Sequence, residues 1–170
     1  MPEADPARSL TTSDHRVPTA RGALFARVWE PAPAAPARPP IVLFHDSLGC
    51  VETWRGFPSR LAEATRRRVV GYDRLGFGRS DPRSGALDAS FIGEEAALSL
   101  PVLRARLGFD AFVAFGHSVG GAMALAVAAE HAGTCEAVVS EAALAFVEPR
   151  TLAGIRAAEA AFAMPERFRR

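Results

Sequence analysis

A serine in the middle of the chain is flanked by glycines two positions before it and two positions after it. Gly116 and Gly120 enclose Ser118 in a G-x-S-x-G pentapeptide, with an apolar run before it and an Ala-rich run after it. A strand that turns directly into a helix at this serine strains its backbone and leaves no room for side chains two positions away. Such a turn presents the hydroxyl above a helix N-terminus, where free N–H groups favour a developing negative charge. The pattern predicts a nucleophilic serine, and a serine that merely caps a helix is the alternative.

The elements that must hold this serine follow from the hydrophobic pattern around it. Short apolar runs predict a buried strand at Ile41–Phe44 and further strands at Arg68–Asp73, Ala111–Gly116 and Glu136–Ser140. Helical patterns separate these strands at Phe57–Thr65, Phe91–Leu107 and Ala122–His131. The second of these helices should be interrupted or kinked near Pro101. Apolar strands interleaved with helices are typical of a mostly parallel sheet covered on both faces, so the predicted fold class is an α/β three-layer sandwich.

The segments outside this alternation divide the chain into three parts. We expect residues 1–21 to be a flexible N-terminal leader, because their first dozen positions are polar and carry prolines. Residues 22–148 form the core, which opens with an alternating strand at Gly22–Trp29 and continues through an exposed Ala/Pro connector at Pro31–Pro40. Residues 149–170 contain a helix at Thr151–Phe162 with Thr151 as its N-cap. One face of that helix carries Leu152, Ile155, Glu159 and Phe162.

Three motifs together resemble a known family. The stretch HDSLG (His45–Gly49) is similar to the oxyanion loop of the α/β-hydrolase superfamily, and YDRLGFGRSD (Tyr72–Asp81) is similar to its loop after the next strand. GHSVGG around Ser118 resembles its nucleophile elbow. The order and spacing of the motifs agree with the family from Gly22 to Ala143. This resemblance implies a truncated α/β-hydrolase fold, with residues 149–170 as the start of a lid or cap.

The resemblance also implies roles for individual residues. Ser118 would be the nucleophile that accepts the acyl group, and the N–H groups of Val119 and Ser47 would form the oxyanion hole. Asp46 stands where many members have glycine. In the loops nearby, we expect His45, Asp73 and Arg74 to brace the backbone rather than to react. His117 should point away from the serine and serve packing or a structural hydrogen bond.

The acid and the base of a catalytic triad are harder to find. A serine needs a base, and in this family an Asp or Glu and then a His follow the serine along the chain. No Asp follows Ser118, and the histidine that does follow it, His131, should lie roughly 15–20 Å away at the far end of a helix. Glu141 is the candidate acid, because it follows a strand at the catalytic edge. The resemblance implies further strands, an acid and a histidine beyond Arg170, so we expect the 170 residues to be inactive or impaired.

Composition narrows the choice of partners. A net charge of +1 gives no reason to expect nucleic acid as a partner, and no apolar run is long enough to span a membrane. Cys50 and Cys135 match no metal or redox spacing, so no metal and no organic cofactor is expected. The N-terminal sequence lacks the apolar region of a signal peptide, which favours a cytoplasmic protein.

The predicted function is hydrolysis of a small ester-like or otherwise activated carbonyl substrate through Ser118. The alternative is a non-catalytic remnant or interaction module that keeps the hydrolase core. An epoxide- or halide-processing relative normally needs Asp as the nucleophile, which Ser118 argues against, although haloperoxidase-like members without cofactor do use Ser. The strand Glu136–Ser140 would be left at the edge of the sheet, so self-association through that edge is expected as well.

Overall fold

The computed structural model describes residues 9–32, 38–85, 87, 90–143, 146 and 148–162. Within these residues, six strands form one sheet in the order β1-β2-β4-β3-β5-β6. The strands are β1 (Ser9–Thr19), β2 (Gly22–Ala32), β3 (Ile41–Phe44), β4 (Val69–Asp73), β5 (Phe112–His117) and β6 (Cys135–Glu141). β4, β3, β5 and β6 run parallel to one another, whereas β1 pairs antiparallel with β2 and β2 antiparallel with β4.

Helices connect the parallel strands. They are α1 (Phe57–Thr65), α2 (Phe91–Glu94), α3 (Leu100–Leu107), α4 (Val119–Glu130) and α5 (Pro149–Phe162), with a short 3₁₀ turn at Val51–Trp54 and a π-helical turn at Glu95–Ser99. α1 has its predicted bounds. The expected interruption of the second helix is the π turn, which ends just before Pro101 enters the first turn of α3. A proline there lacks the N–H that would bond to the preceding turn, and its ring crowds that turn's carbonyls.

The two faces of the sheet carry separate apolar cores, which confirms the three-layer α/β sandwich. On one face, Phe44 and Tyr72 are buried together with Leu100 of α3 and Met123 of α4. The other face holds a core against α1 and the 3₁₀ turn, with the members Phe25, Trp29, Ile41, Leu43, Val51, Ala62 and Val69. Both faces of β3 and β4 are covered, and all nine of their residues are buried. Continuous apolar strands of this kind belong in the centre of a sheet.

The prediction of a flexible leader over residues 1–21 is wrong from Ser9 to Thr19. These residues form β1, which pairs with β2 from Ser9↔Ala32 to Thr19↔Gly22. Polar composition concealed the strand, because one face of β1 meets solvent and Val17 alone in it is fully buried. β1 is held by its hydrogen bonds to the backbone of β2 and by ion pairs of its residues Asp14 and Arg16. Residues 1–8 lie outside the described part of the chain, as does the middle of the Pro31–Pro40 connector.

The final helix also starts earlier than predicted. α5 begins at Pro149, so Thr151 lies inside its first turn and is not the N-cap. Proline suits the first helical position because its N–H would be unpaired there. Leu152 and Ile155 on the predicted apolar face are 41% and 54% exposed. Of the described residues, no helix is long and apolar enough to cross a membrane.

Candidate active site

Ser118 occupies the turn between β5 and α4, as predicted. It has φ 57° and ψ −122°, a conformation that a residue with a side chain adopts only under strain. The neighbouring glycines make this turn sterically feasible. A Cβ atom at Gly116 would overlap the carbonyl oxygen of Gly120, and a Cβ atom at Gly120 would overlap the carbonyl oxygen of Phe44. The G-x-S-x-G spacing is therefore a packing requirement of the elbow.

Hydrogen bonds fix the backbone on both sides of Ser118. Its N–H donates to the carbonyl of Glu141 at 2.9 Å, and its own carbonyl accepts from Gly121 N at 2.9 Å in the first turn of α4. Val119 is the first residue of α4 and is buried. The helix begins three residues before its predicted start at Ala122. The prediction started late because Gly120 and Gly121, which lie in the first turn of α4, have a low helix propensity.

The loop His45–Gly49 leaves β3 at the same edge of the sheet as Ser118. β3 and β5 are neighbours, with Phe44 opposite Gly116. Within this loop, the Asp46 carboxylate accepts from Leu48 N at 3.1 Å, and a Cβ atom at Gly49 would lie 2.7 Å from the same carboxylate oxygen. Asp46 thus replaces the usual glycine by closing the turn with its own side chain. Ser47 is exposed in that turn, and the convergence of its N–H with that of Val119 on Ser118 stays a prediction.

His45 is a bracing residue, as predicted. It is 1% exposed, and its Nε2 accepts from the backbone N–H of Arg74 at 3.2 Å. The proton therefore sits on Nδ1, which lies 2.9 Å from the carbonyl oxygen of Asp46 and donates to it. Burial, helped by the Arg74 guanidinium, lowers the pKa of His45 to about 4. The ring is neutral at physiological pH and works as a spacer between two loops.

Asp73 holds the loop Tyr72–Asp81, which also matches its predicted role. Its carboxylate accepts from Val51 N at 2.5 Å and from Arg79 N at 2.7 Å. A Cβ atom at Gly78 would overlap this carboxylate, so the glycine is required for the close approach. Burial raises the pKa of Asp73 against the lowering effect of these N–H donors. The group ties two turns together.

The remaining candidate residues have distinct positions. Glu141 ends β6 opposite His117, with an exposed side chain at the catalytic edge. His117 lines a cavity of about 230 Å³ together with His45, Asp46, Thr53 and Trp54. His131 ends α4, and its Nε2 lies 2.9 Å from the carbonyl of Ala96. A helix of this length separates His131 from Ser118 by about 18 Å, so it is not the base.

Two sets of contacts were not foreseen from the sequence, although Arg74 was expected to brace its own loop. The Arg74 side chain reaches out of its own loop and donates to the carbonyls of Asp46 at 2.7 Å and Ser47 at 3.4 Å. Tyr72 donates its hydroxyl proton to the buried Glu95 carboxylate at 2.6 Å, and burial raises the pKa of both groups. An arginine directly after a buried strand is the sequence signal that could have indicated the Arg74 contacts. The helical pattern around Glu95 did not indicate its hydrogen bond with Tyr72. In the described residues, no group of three His, Cys, Asp or Glu is arranged to hold a metal ion.

Comparison with known proteins gives consistent matches. The family model described as alpha/beta hydrolase fold matches residues 39–170. A proline iminopeptidase of Lactobacillus delbrueckii subsp. lactis is 30% identical over 88 residues, which cover 52% of this chain and 30% of that protein. A (lyso)-N-acylphosphatidylethanolamine lipase of Bos taurus is 33% identical over 87 residues, 51% of this chain and 25% of that protein.

Solved structures share the fold. A proline iminopeptidase of Mycobacterium smegmatis superposes with a TM-score of 0.67 at 23% identity, over 77% of this chain and 44% of that one. A Bacillus subtilis carboxylesterase superposes with a TM-score of 0.63 at 22% identity, over 84% and 48%. The matched part of the chain thus spans less than half the length of these relatives. Because the family model matches most of the chain and the sheet order and elbow agree with it, the chain belongs to the α/β-hydrolase fold family.

Proposed function

We propose that this chain carries the nucleophile and the oxyanion loop of a serine hydrolase that acts on esters or other activated carbonyl compounds. The observation that carries the proposal is the strained backbone of Ser118 between β5 and α4, enclosed by two glycines without room for a side chain. In this reaction the Ser118 hydroxyl oxygen attacks the carbonyl carbon. The N–H groups of Val119 and Ser47 then stabilise the negative charge that develops on the carbonyl oxygen.

Proton transfer is the weak part of the site. The Ser118 hydroxyl must lose its proton to a base, and His131 is held at the opposite end of α4 by its bond to Ala96. Glu141 is the candidate acid because it ends the strand beside Ser118, but a carboxylate without a histidine does not complete a triad. We therefore expect the 170 residues on their own to hydrolyse esters feebly, because the Ser118 hydroxyl is a weak nucleophile without a base to take its proton.

The similar proteins support a carbonyl substrate. Their descriptions include an iminopeptidase, a carboxylesterase, a lipase and an N-acyl homoserine lactonase. An epoxide hydrolase is also similar in fold, but such relatives normally use an aspartate nucleophile, and this chain has Ser118. The proposed partner is thus a small ester, lactone or related molecule. Both cysteines are free thiols, which suits the cytoplasmic location that we propose.

The second candidate is a non-catalytic interaction module, and one observation favours it. Every residue of β6 after Cys135 is exposed, including Val138 at 39% and Val139 at 44%. An exposed apolar strand at a sheet edge is a template for pairing with another chain. This edge is the surface through which we propose that the chain self-associates.

Hydrolysis of an activated aryl ester such as p-nitrophenyl acetate tests the proposal. We expect slow turnover by the purified chain, lost in Ser118→Ala and kept in the control Ser84→Ala, which changes an exposed serine. Equal rates in Ser118→Ala and the parent chain would contradict a nucleophilic Ser118 and favour the interaction module. Fast turnover that Ser118→Ala abolishes would support the nucleophile and show that the chain contains a base.

A further inference from the structure

The peptide group between Asp46 and Ser47 is held from one side by two donors. Its carbonyl oxygen accepts from Arg74 Nη2 at 2.7 Å and from His45 Nδ1 at 2.9 Å. Arg74 is itself fixed, because the residue is 3% exposed and its guanidinium lies 4.2 Å above the centre of the Phe77 ring. Its Nε donates to His45 Nε2 at 3.3 Å, so the two donors also hold each other. Both are buried at the end of β3 and β4.

Because the peptide bond is planar, holding the Asp46 carbonyl also sets the direction of the Ser47 N–H. A trans peptide is planar, and its C=O and N–H point in opposite directions. The N–H partner of the Asp46 carbonyl belongs to Ser47, so fixing one end of the group fixes the direction of the other. β3 lies between β4 and β5 in the sheet. Arg74 follows β4 and Ser118 follows β5, so a carbonyl drawn toward Arg74 leaves the Ser47 N–H directed toward the Ser118 side.

We propose that Arg74 is a positioning residue which, through the Asp46 carbonyl, aims the Ser47 N–H at the oxygen of the substrate on Ser118. The inference rests on the proposed function and deepens it, because it adds a residue from a third loop to the oxyanion site. Arg74 touches no reacting atom. A longer and weaker second contact, at 3.4 Å, joins Arg74 to the carbonyl of Ser47 in the same turn.

Three variants test this inference in the full chain. Arg74→Met removes every donor and keeps an apolar stem of similar length, whereas Arg74→Lys retains a charge and can still reach one carbonyl. Arg79→Met is the matched control, because Arg79 lies in the same loop but its guanidinium contacts Asp14 and Phe25. A denaturation curve for each variant establishes that it is folded. If Arg74→Met does not fold, the comparison of Arg74→Lys with the parent chain decides the outcome.

The first readout is the ¹⁵N order parameter of the Ser47 amide, which does not require an active enzyme. We expect about 0.85 in the parent chain and in Arg79→Met, and below about 0.6 in Arg74→Met, with an intermediate value in Arg74→Lys. The second readout is the rate at which an alkyl fluorophosphonate modifies Ser118, followed by intact mass. Loss of one oxyanion donor lowers rates about 10²–10³-fold, so a misdirected one should lower this rate at least about tenfold in Arg74→Met.

The outcomes separate this inference from the proposed function. An unchanged Ser47 order parameter in folded Arg74→Met would overturn the positioning role, as would an unchanged rate of modification at a reactive Ser118. If Ser118 of the parent chain does not react at all, the proposed function fails. In that case the order parameter alone decides whether Arg74 holds the loop. A loss of order and rate in Arg74→Met, with partial recovery in Arg74→Lys, supports the inference.

Discussion

The two sides of Ser118 along the sheet differ sharply in construction. Toward β3 and β4, the loops that follow the strands are locked together by the buried side chains of His45, Asp73 and Arg74. Toward β6, every residue of the strand after Cys135 is exposed, and the Glu141 carbonyl accepts one backbone hydrogen bond from the Ser118 N–H. The braced side carries the residues proposed for the oxyanion hole. The open side carries the residue proposed as the acid.

This difference is consistent with the task that we propose for the braced side. Stabilising an oxyanion requires donors that are fixed before the charge develops, and buried cross-links between loops provide that rigidity. Proton transfer requires a base within hydrogen-bond distance, and His45 and His131 are held by the backbone carbonyls of Asp46 and Ala96. The braced region is therefore the part in which substitutions should have the largest effects.

The largest effect is expected at the elbow. Gly120→Ala adds a methyl group that overlaps the carbonyl oxygen of Phe44, so the first turn of α4 must move away from β3. We expect it to lower the free energy of unfolding by more than about 3 kcal/mol. The matched control is Gly133→Ala, because nothing lies within 4 Å of a Cβ atom there. Chemical denaturation of both variants measures the difference, and equal midpoints would show that the elbow is loosely packed.

Much of this architecture could be predicted from the sequence, because it depends on local patterns. The apolar runs located β3 to β6 within a residue or two, and the glycine spacing located the turn at Ser118. β1 was not predicted, because a polar edge strand lacks regularly spaced apolar residues. It is stabilised by its partner β2 more than by its own side chains. The Arg74 contacts escaped for a different reason: they join loops 28 residues apart, and the direction of a long side chain is set by packing.

The next largest effect is expected on the free energy of unfolding when the pH is lowered. The folded chain holds the pKa of His45 at about 4, whereas an unfolded histidine titrates near 6.5, so the unfolded chain binds this proton first as the pH falls. The free energy of unfolding should decrease by about 2 kcal/mol between pH 7 and pH 5 through this group. Denaturation curves at both pH values measure it.

His45→Asn provides the control for this pH effect. Its side-chain amide can donate to the Asp46 carbonyl in place of Nδ1 but does not titrate. The variant should lose the dependence on pH between 7 and 5, even if it is less stable overall. A slope as steep as that of the parent chain would assign the effect to another group.

The open side predicts a smaller effect, on association. If copies pair through β6, Val139→Lys should weaken self-association about tenfold, because a charged residue on an edge strand disfavours pairing. Leu125→Lys on α4 is the control, since Leu125 is 41% exposed and Val139 44%. Sedimentation over a range of concentrations compares them. Equal weakening by both substitutions would indicate nonspecific hydrophobic association rather than pairing through β6. A monomeric parent chain would contradict the proposed edge pairing.

The smallest effect is expected on the outer strand β1. Asp14 accepts from Arg27 at 2.6 Å and from Arg79 at 2.8 Å, and the bonds from Arg27 lower its pKa to about 2. The carboxylate is partly exposed, so solvent screens these pairs. Asp14→Asn should lower the free energy of unfolding by about 0.5–1 kcal/mol at low salt and by less at 1 M salt. A loss that salt leaves unchanged would show that packing, not charge, accounts for it.

The central claim is that Val119 and Ser47 donate to an oxyanion beside Ser118. A crystal structure of the chain after reaction with a fluorophosphonate tests it most directly, because the phosphoryl oxygen occupies the position of the oxyanion. We predict phosphorus bonded to Ser118 Oγ, with that oxygen about 2.7–3.1 Å from the backbone nitrogens of both Val119 and Ser47. An adduct whose phosphoryl oxygen faces solvent, or contacts Val119 without Ser47, would contradict the account.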